Sequence, residues 1–159
     1  MITLRPLTLA DMPDAARVHR TSFDAQLPKL SGLHTPAEDR AYWRDRLFAT
    51  CHVWGAEEAG RLVGVIAYRA GSVEQLYVLP EAQGRGIGQT LLEKAKAEHD
   101  LLDLWTFQQN TRARLFYEKH GFVAIEQTDG RDNEERAPDM RYRWQRLLDG
   151  GLQAGSAAT

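Results

Sequence analysis

Residues 81–100 read EAQGRGIGQTLLEKAKAEHD. Three glycines at alternate positions, Gly84, Gly86 and Gly88, stand directly before an amphipathic helix with Ile87, Leu91, Leu92 and Ala95 as its apolar stripe. Glycines so placed answer either a sharp backbone turn or the close approach of a ligand. A P-loop requires GxxxxGK(S/T), but the sixth position from Gly84 is Gln89 and no lysine follows. The dinucleotide fingerprint GxGxxG fails at the same residue. A tight turn with nothing bound explains one glycine better than three. The other reading is anion binding: alternate glycines let successive N–H groups point into one concavity, and the helix behind adds partial positive charge. Such a seat holds a diphosphate without a basic patch, and Arg85 can add a bidentate contact.

Upstream, Ser72 to Leu79 is a strand ended by Pro80. Before it, His52 to Glu57 and Leu62 to Tyr68 flank the hairpin signature Glu58-Ala59-Gly60-Arg61. Two helices precede these strands. Thr8 with Asp11 caps the first, which carries Ala15, Val18, His19 and Phe23 at helical spacing. Thr35-Pro36-Ala37-Glu38 opens the second, predicted to run to Phe48 and to bury Tyr42, Leu47 and the stem of Arg46. Downstream, Leu101 to Phe107 is a strand. Asn110 or Thr111 caps a helix with Ala113, Phe116, Tyr117 and His120 on one face, and Gly121 suits its C-terminal stop. Phe122 to Glu126 and Met140 to Trp144 are closing strands. This order predicts a mixed α/β fold, with helices on both faces of a mixed sheet.

The length of 159 residues fits one domain, assigned to residues 1–148, and residues 149–159 form a tail with little to bury. A formal charge of −2 argues against nucleic acid or an anionic membrane as partner. No apolar run has the length of a membrane span. The N-terminus lacks the order of a signal peptide, so a soluble cytoplasmic protein is expected. One cysteine, Cys51, leaves no intrachain disulfide and no metal cluster; a small buried side chain is the plain reading.

Gln83-Gly84-Arg85-Gly86-Ile87-Gly88 matches the (R/Q)xxGx(G/A) signature of the GNAT superfamily of N-acetyltransferases. Glu74 to Glu81 resembles the fourth strand of that family. Asn110, followed by ARLFYEKHGF at residues 113–122, resembles the segment after its fifth strand. The resemblance implies a three-layer α-β-α fold around a largely antiparallel twisted sheet of about six to seven strands. It implies acetyl-CoA as co-substrate and no metal. The backbone of Leu76, Tyr77 and Val78 would pair with the pantetheine arm, although Leu76 and Val78 also suit a plain core. The pyrophosphate would sit on Gln83, Gly84, Arg85, Gly86, Ile87, Gly88 and Gln89. Ala113 and Phe116 would face the cofactor beside Tyr117. Asn110 would hold the pantetheine or only cap its helix.

Acetyl transfer to an amine requires a neutral amine, a donor for the oxyanion and a proton for the departing thiolate. The resemblance assigns the last role to Tyr117, which otherwise reads as a core tyrosine. It assigns deprotonation to Glu74, which otherwise reads as an edge carboxylate; Asp24, His34, His52 or a water relay are the other acceptors. The acceptor pocket is expected between residues 23–42, with Leu27, Leu30, Leu33 and His34, and residues 128–139. In the latter, Asp129, Asp132, Glu134, Glu135 and Asp139 steer an amine or merely form a solvated loop. The expected partner is a small-molecule or peptide amine, and pairing through C-terminal strands into a homodimer is plausible. A domain that binds acyl-CoA without turnover is the alternative.

Overall fold

Pro6 closes β1 (Ile2–Pro6), and the Thr8 N–H then donates to the Asp11 carboxylate at 2.7 Å, as the spacing predicts. The computed structural model describes residues 1–147, so the expected tail at 149–159 lies outside the described residues. After one 3-10 turn the chain enters α1 (Met12–Gln26), which buries Ala15, Val18 and His19. Thr35 opens α2 (Pro36–Ala41) with a reciprocal cap: its Oγ1 accepts from the Glu38 N–H at 3.1 Å, and the Glu38 carboxylate accepts from the Thr35 N–H at 2.8 Å.

This helix does not stay α-helical to Phe48. Tyr42–Leu47 winds as a π-helix, and α3 (Phe48–Thr50) is one last α turn. The wider turn changes the phase of the residues that follow. Trp43 and Leu47 are buried, Tyr42 is half-buried, and Arg46, whose stem was expected to be buried, is exposed.

β2 (His52–Glu58) and β3 (Arg61–Arg69) pair as an antiparallel hairpin across Ala59 and Gly60, both at positive φ. The remaining elements are β4 (Ser72–Val78), α4 (Ile87–Glu98), β5 (Leu101–Phe107), α5 (Thr111–Lys119), β6 (Val123–Thr128) and β7 (Asp139–Gln145).

The described residues divide into two compact units, Met1–Arg69 with Val73–Ala95, and Ala70–Ser72 with residues 96–147. In the first, the strand order is β1-β2-β3-β4. Residues 62–68 of β3 are all buried, and because side chains alternate, both faces of the strand are covered. α1 packs here, with the Arg17 guanidinium donating to the Leu62 carbonyl at 3.1 Å. α4 packs here too, with Ile87 and Leu91 so close that a Cβ at Gly64 would lie 3.1 Å from each. Arg20 forks onto Asp39 through two 2.8 Å bonds and joins α1 to α2. Burial alone would raise the Asp39 pKa, but that fork holds it below the usual carboxylate range.

In the second unit the order is β5-β7-β6, antiparallel throughout, and Ser72 registers in parallel with Asp103. The seven strands thus carry both pairing modes, as the element order predicts. Gly121 stands at φ +91° just past α5, and the Phe122 N–H reaches back to the Tyr117 carbonyl at 3.0 Å.

Buried His19 makes the first unit sensitive to acid. Its Nδ1 accepts from the Trp43 indole N–H at 2.9 Å, which requires a neutral ring. Burial pushes its pKa down from 6.5 to about 4. Between those values the unfolded chain binds the proton and the folded chain does not, so stability falls as pH falls. The full loss is about 3 kcal/mol. Urea unfolding at pH 7 and pH 4.5 is expected to show a loss of roughly 2 kcal/mol that shrinks in His19→Gln. An equal loss in the variant would put the acid sensitivity elsewhere.

Candidate active site

The first unit holds the glycine turn. Gly84 and Gly86 sit at φ +78° and +81°, a backbone region that residues with a Cβ enter at a cost. Gly88 does not; it lies inside α4 with ordinary helical backbone. The first main-chain bond of α4 is Thr90 N–H to the Gly86 carbonyl at 3.0 Å. Ahead of it, the amides of residues 84–89 meet no acceptor among the described residues. Most of this stretch is exposed. A row of unpaired N–H groups at the positive end of a twelve-residue helix is a seat for an anion.

Two side chains shape the turn. Gln83 donates its Nε2 to the Val78 carbonyl at 3.0 Å, and Ser22 Oγ donates to the same oxygen at 3.1 Å. The end of β4 is therefore tied to both the turn and α1. Arg85, expected to grip phosphate, forks onto Glu58, with bonds of 3.0 and 2.5 Å. The β2–β3 hairpin supplies that carboxylate, a pairing across 27 positions that nothing local in the sequence announces.

Along β4, Gln75 and Tyr77 share one face. The Tyr77 ring stacks on His19 with centroids 4.4 Å apart and planes at 15°. Its hydroxyl donates to Gln75 Oε1 at 2.8 Å, and Gln75 Nε2 donates to the Tyr42 hydroxyl at 3.0 Å. Trp43, His19, Tyr77, Gln75 and Tyr42 thus form one continuous array of fixed rings and hydrogen bonds. The sequence singles out three of these, His19, Tyr42 and Tyr77, as core or backbone positions and passes over Trp43. Gln75 escapes notice, although an uncharged polar side chain in SVEQLYV is the available signal.

This array borders an open cleft of about 400 Å³. Tyr42, Arg46 and Thr50 line one side; Arg69, Glu74 and Gln75 line the other. Glu74, the candidate base, is half-buried and ion-paired with Arg69 at 3.1 Å. Leu27, Leu30, Leu33 and His34, expected to shape the acceptor pocket, do not line this cleft. Nor do the other proton acceptors considered. Asp24 pairs with Arg20 at 3.3 Å, and exposed His52 leans on Tyr68 with ring centroids 5.5 Å apart. Burial pushes the Cys51 thiol up, which makes it a poor nucleophile.

The second unit holds the helix of Asn110 and Tyr117. Asn110 Oδ1 accepts from the Ala113 N–H at 3.1 Å, so the capping role is present. Ala113 and Phe116 are half-buried beside buried Tyr117. The Tyr117 ring packs edge-on against Phe116 and Phe122, at 5.3 and 5.6 Å between centroids. Burial pushes its pKa well above 10 and keeps the phenol protonated. The hydroxyl has no hydrogen-bond partner among the described residues. Among those residues only Arg141 Nε is both occluded and unpaired, so the Tyr117 hydroxyl keeps an opening. No group of three or more His, Cys, Asp or Glu suited to a metal ion occurs among the described residues, and no described helix is long and apolar enough to cross a membrane.

Comparison with known proteins identifies the family. Residues 49–124 match the family model described as acetyltransferase (GNAT) domain. An uncharacterized N-acetyltransferase of Archaeoglobus fulgidus is 32% identical over 133 residues, covering 67% of this chain and 83% of that one. The peptidyl-lysine N-acetyltransferase YiaC of Escherichia coli is 32% identical over 93 residues, 54% of this chain and 64% of YiaC, so the match spans a little under two thirds of that relative. The PaiA N-acetyltransferase of Thermoplasma acidophilum, solved in complex with coenzyme A, shares the fold with a TM-score of 0.67 at 23% identity, over 91% of this chain and 99% of that one. The matched model takes in β4, the glycine turn, α4 and the Tyr117 helix, and with the archaeal relative aligned over most of its length, the chain belongs to the GNAT family of N-acetyltransferases.

Proposed function

We propose that the protein transfers the acetyl group of acetyl-CoA to a primary amine by direct attack in a ternary complex. The observation that carries this reading is the run of unpaired amides at residues 84–89 ahead of α4. Amides held in place before the ligand arrives cost no reorganisation when they meet a diphosphate. Gly84 and Gly86 supply the backbone shape, and the backbone of Leu76, Tyr77 and Val78 on β4 supports the pantetheine arm.

In the reaction the amine nitrogen forms a bond to the acetyl carbon while the carbon–sulfur bond breaks. The proton lost by the amine passes to Glu74, directly or through water. The thiolate leaves with a proton from the Tyr117 hydroxyl, and the phenol recovers its proton from solvent. Burial keeps Tyr117 protonated, so the phenol holds a proton available for the departing sulfur. The acceptor approaches through the cleft beside Glu74.

Release of CoA from acetyl-CoA, measured against amines, polyamines, amino acids and peptides, is expected to rise only with acceptors that carry a primary amine. A screen in which hydroxyl or thiol compounds alone release CoA would overturn the reading.

A further inference from the structure

The cleft beside Glu74 carries a charge pattern that an amine alone does not explain. Its ionic residues are Arg46, Arg69 and Glu74, a formal balance of +1. Arg69 and Glu74 neutralise each other at 3.1 Å. Among the described residues, Arg46 has no carboxylate within ion-pairing distance and its side chain makes no hydrogen bond. Its charge reaches the Tyr42 hydroxyl, and that hydroxyl accepts from Gln75 while its own proton is uncommitted. The cleft therefore presents a guanidinium fork and an O–H donor on one wall, with a carboxylate on the other. A bare amine would be repelled by the Arg46 wall, and on the other wall it would meet a carboxylate that Arg69 already pairs.

We propose that the acceptor is a small amino carboxylate of amino-acid size: its carboxylate lies against Arg46 and the Tyr42 hydroxyl, and its amine meets Glu74. This rests on the acetyl-transfer reading above and names its substrate class. A planar guanidinium matches a carboxylate bidentately, a geometry that lysine does not reproduce. The array from His19 to Tyr42 fixes the hydroxyl, so the anion meets a donor already in place. The π-helix puts Tyr42 and Arg46 on this wall; with the phase predicted from periodicity, the Arg46 stem would be buried.

The test compares kcat/KM for L-amino acids with that for matched amines lacking the carboxylate, such as lysine against cadaverine and alanine against ethylamine. The native protein is expected to favour the amino acid at least about tenfold, within the range of one charge-assisted bidentate contact. In Arg46→Ala that preference falls toward one, mainly through a higher KM. Arg46→Lys recovers part of it by restoring charge without the fork. CoA binding followed by calorimetry shows that each variant is folded. Native preference for the plain amine, or an unchanged ratio in both variants, overturns the amino-carboxylate assignment and leaves acetyl transfer standing. No CoA release with either set overturns the amino-carboxylate assignment, and the wider panel of polyamines and peptides then decides acetyl transfer.

Discussion

Replacing Tyr117 by phenylalanine is expected to lower the rate of acetyl transfer about 100-fold or more, the usual scale of a positioned general acid. The affinity for CoA should stay within about threefold, because the ring and its packing against Phe116 and Phe122 are retained. Stability should change by less than about 1 kcal/mol, since the hydroxyl has no partner among the described residues that would be left unsatisfied. Rate and binding therefore separate, a pattern that a core tyrosine would not produce. Single-turnover CoA release and calorimetric binding measured together decide the matter. A variant that transfers acetyl within twofold of the native rate would remove Tyr117 from the chemistry. A native protein that binds acetyl-CoA but releases no CoA with any acceptor would indicate a binding module.

The second large effect is expected at Gly86. A valine at φ +81° must either bear the cost of the left-handed region, about 1–2 kcal/mol for a residue with a Cβ and more when it is branched, or rotate the turn away. No heavy atom lies within 4 Å of a Cβ built there, so the protein itself does not clash and the penalty is one of backbone. Rotating the turn disperses the amides of residues 84–89. The dissociation constant for CoA is expected to rise about 100-fold in Gly86→Val, equivalent to about 2.7 kcal/mol. The thermal midpoint of the ligand-free protein should drop only a few degrees. Unchanged CoA affinity would show that the diphosphate is held elsewhere.

How much of this was legible beforehand depended on the range of the interactions involved. The stripe Ile87, Leu91, Leu92 and Ala95 is buried as predicted, and β5 begins and ends at the predicted residues. The caps at Thr35 and Asn110 and the stop at Gly121 also appear where local chemistry places them. Each is settled by residues within a few positions. The π-helix at Tyr42–Leu47 is not, because no residue type marks it and α1 and β4 contribute to its setting. Arg85 is expected at phosphate because it lies in the turn; its fork onto Glu58, from another hairpin, is a contact that no local pattern signals. Likewise, Glu74 reads in the sequence as a candidate base or an edge carboxylate, and its ion pair with Arg69 across the Ala70–Gly71 turn is not announced there.

The π-helix also bears on how such a cleft changes over time. It divides one continuous helical stretch between two tasks. Asp39 is directed to Arg20 on α1, while Tyr42 is directed to Gln75 on β4. A wide turn of this kind differs from an ordinary one by a single residue of chain. Gain or loss of one residue near position 42 would therefore re-aim both cleft-lining side chains, Tyr42 and Arg46, in one step, without replacing either. Acceptor choice in this chain is thus exposed to indels, and relatives aligned without regard to helix length would hide that route.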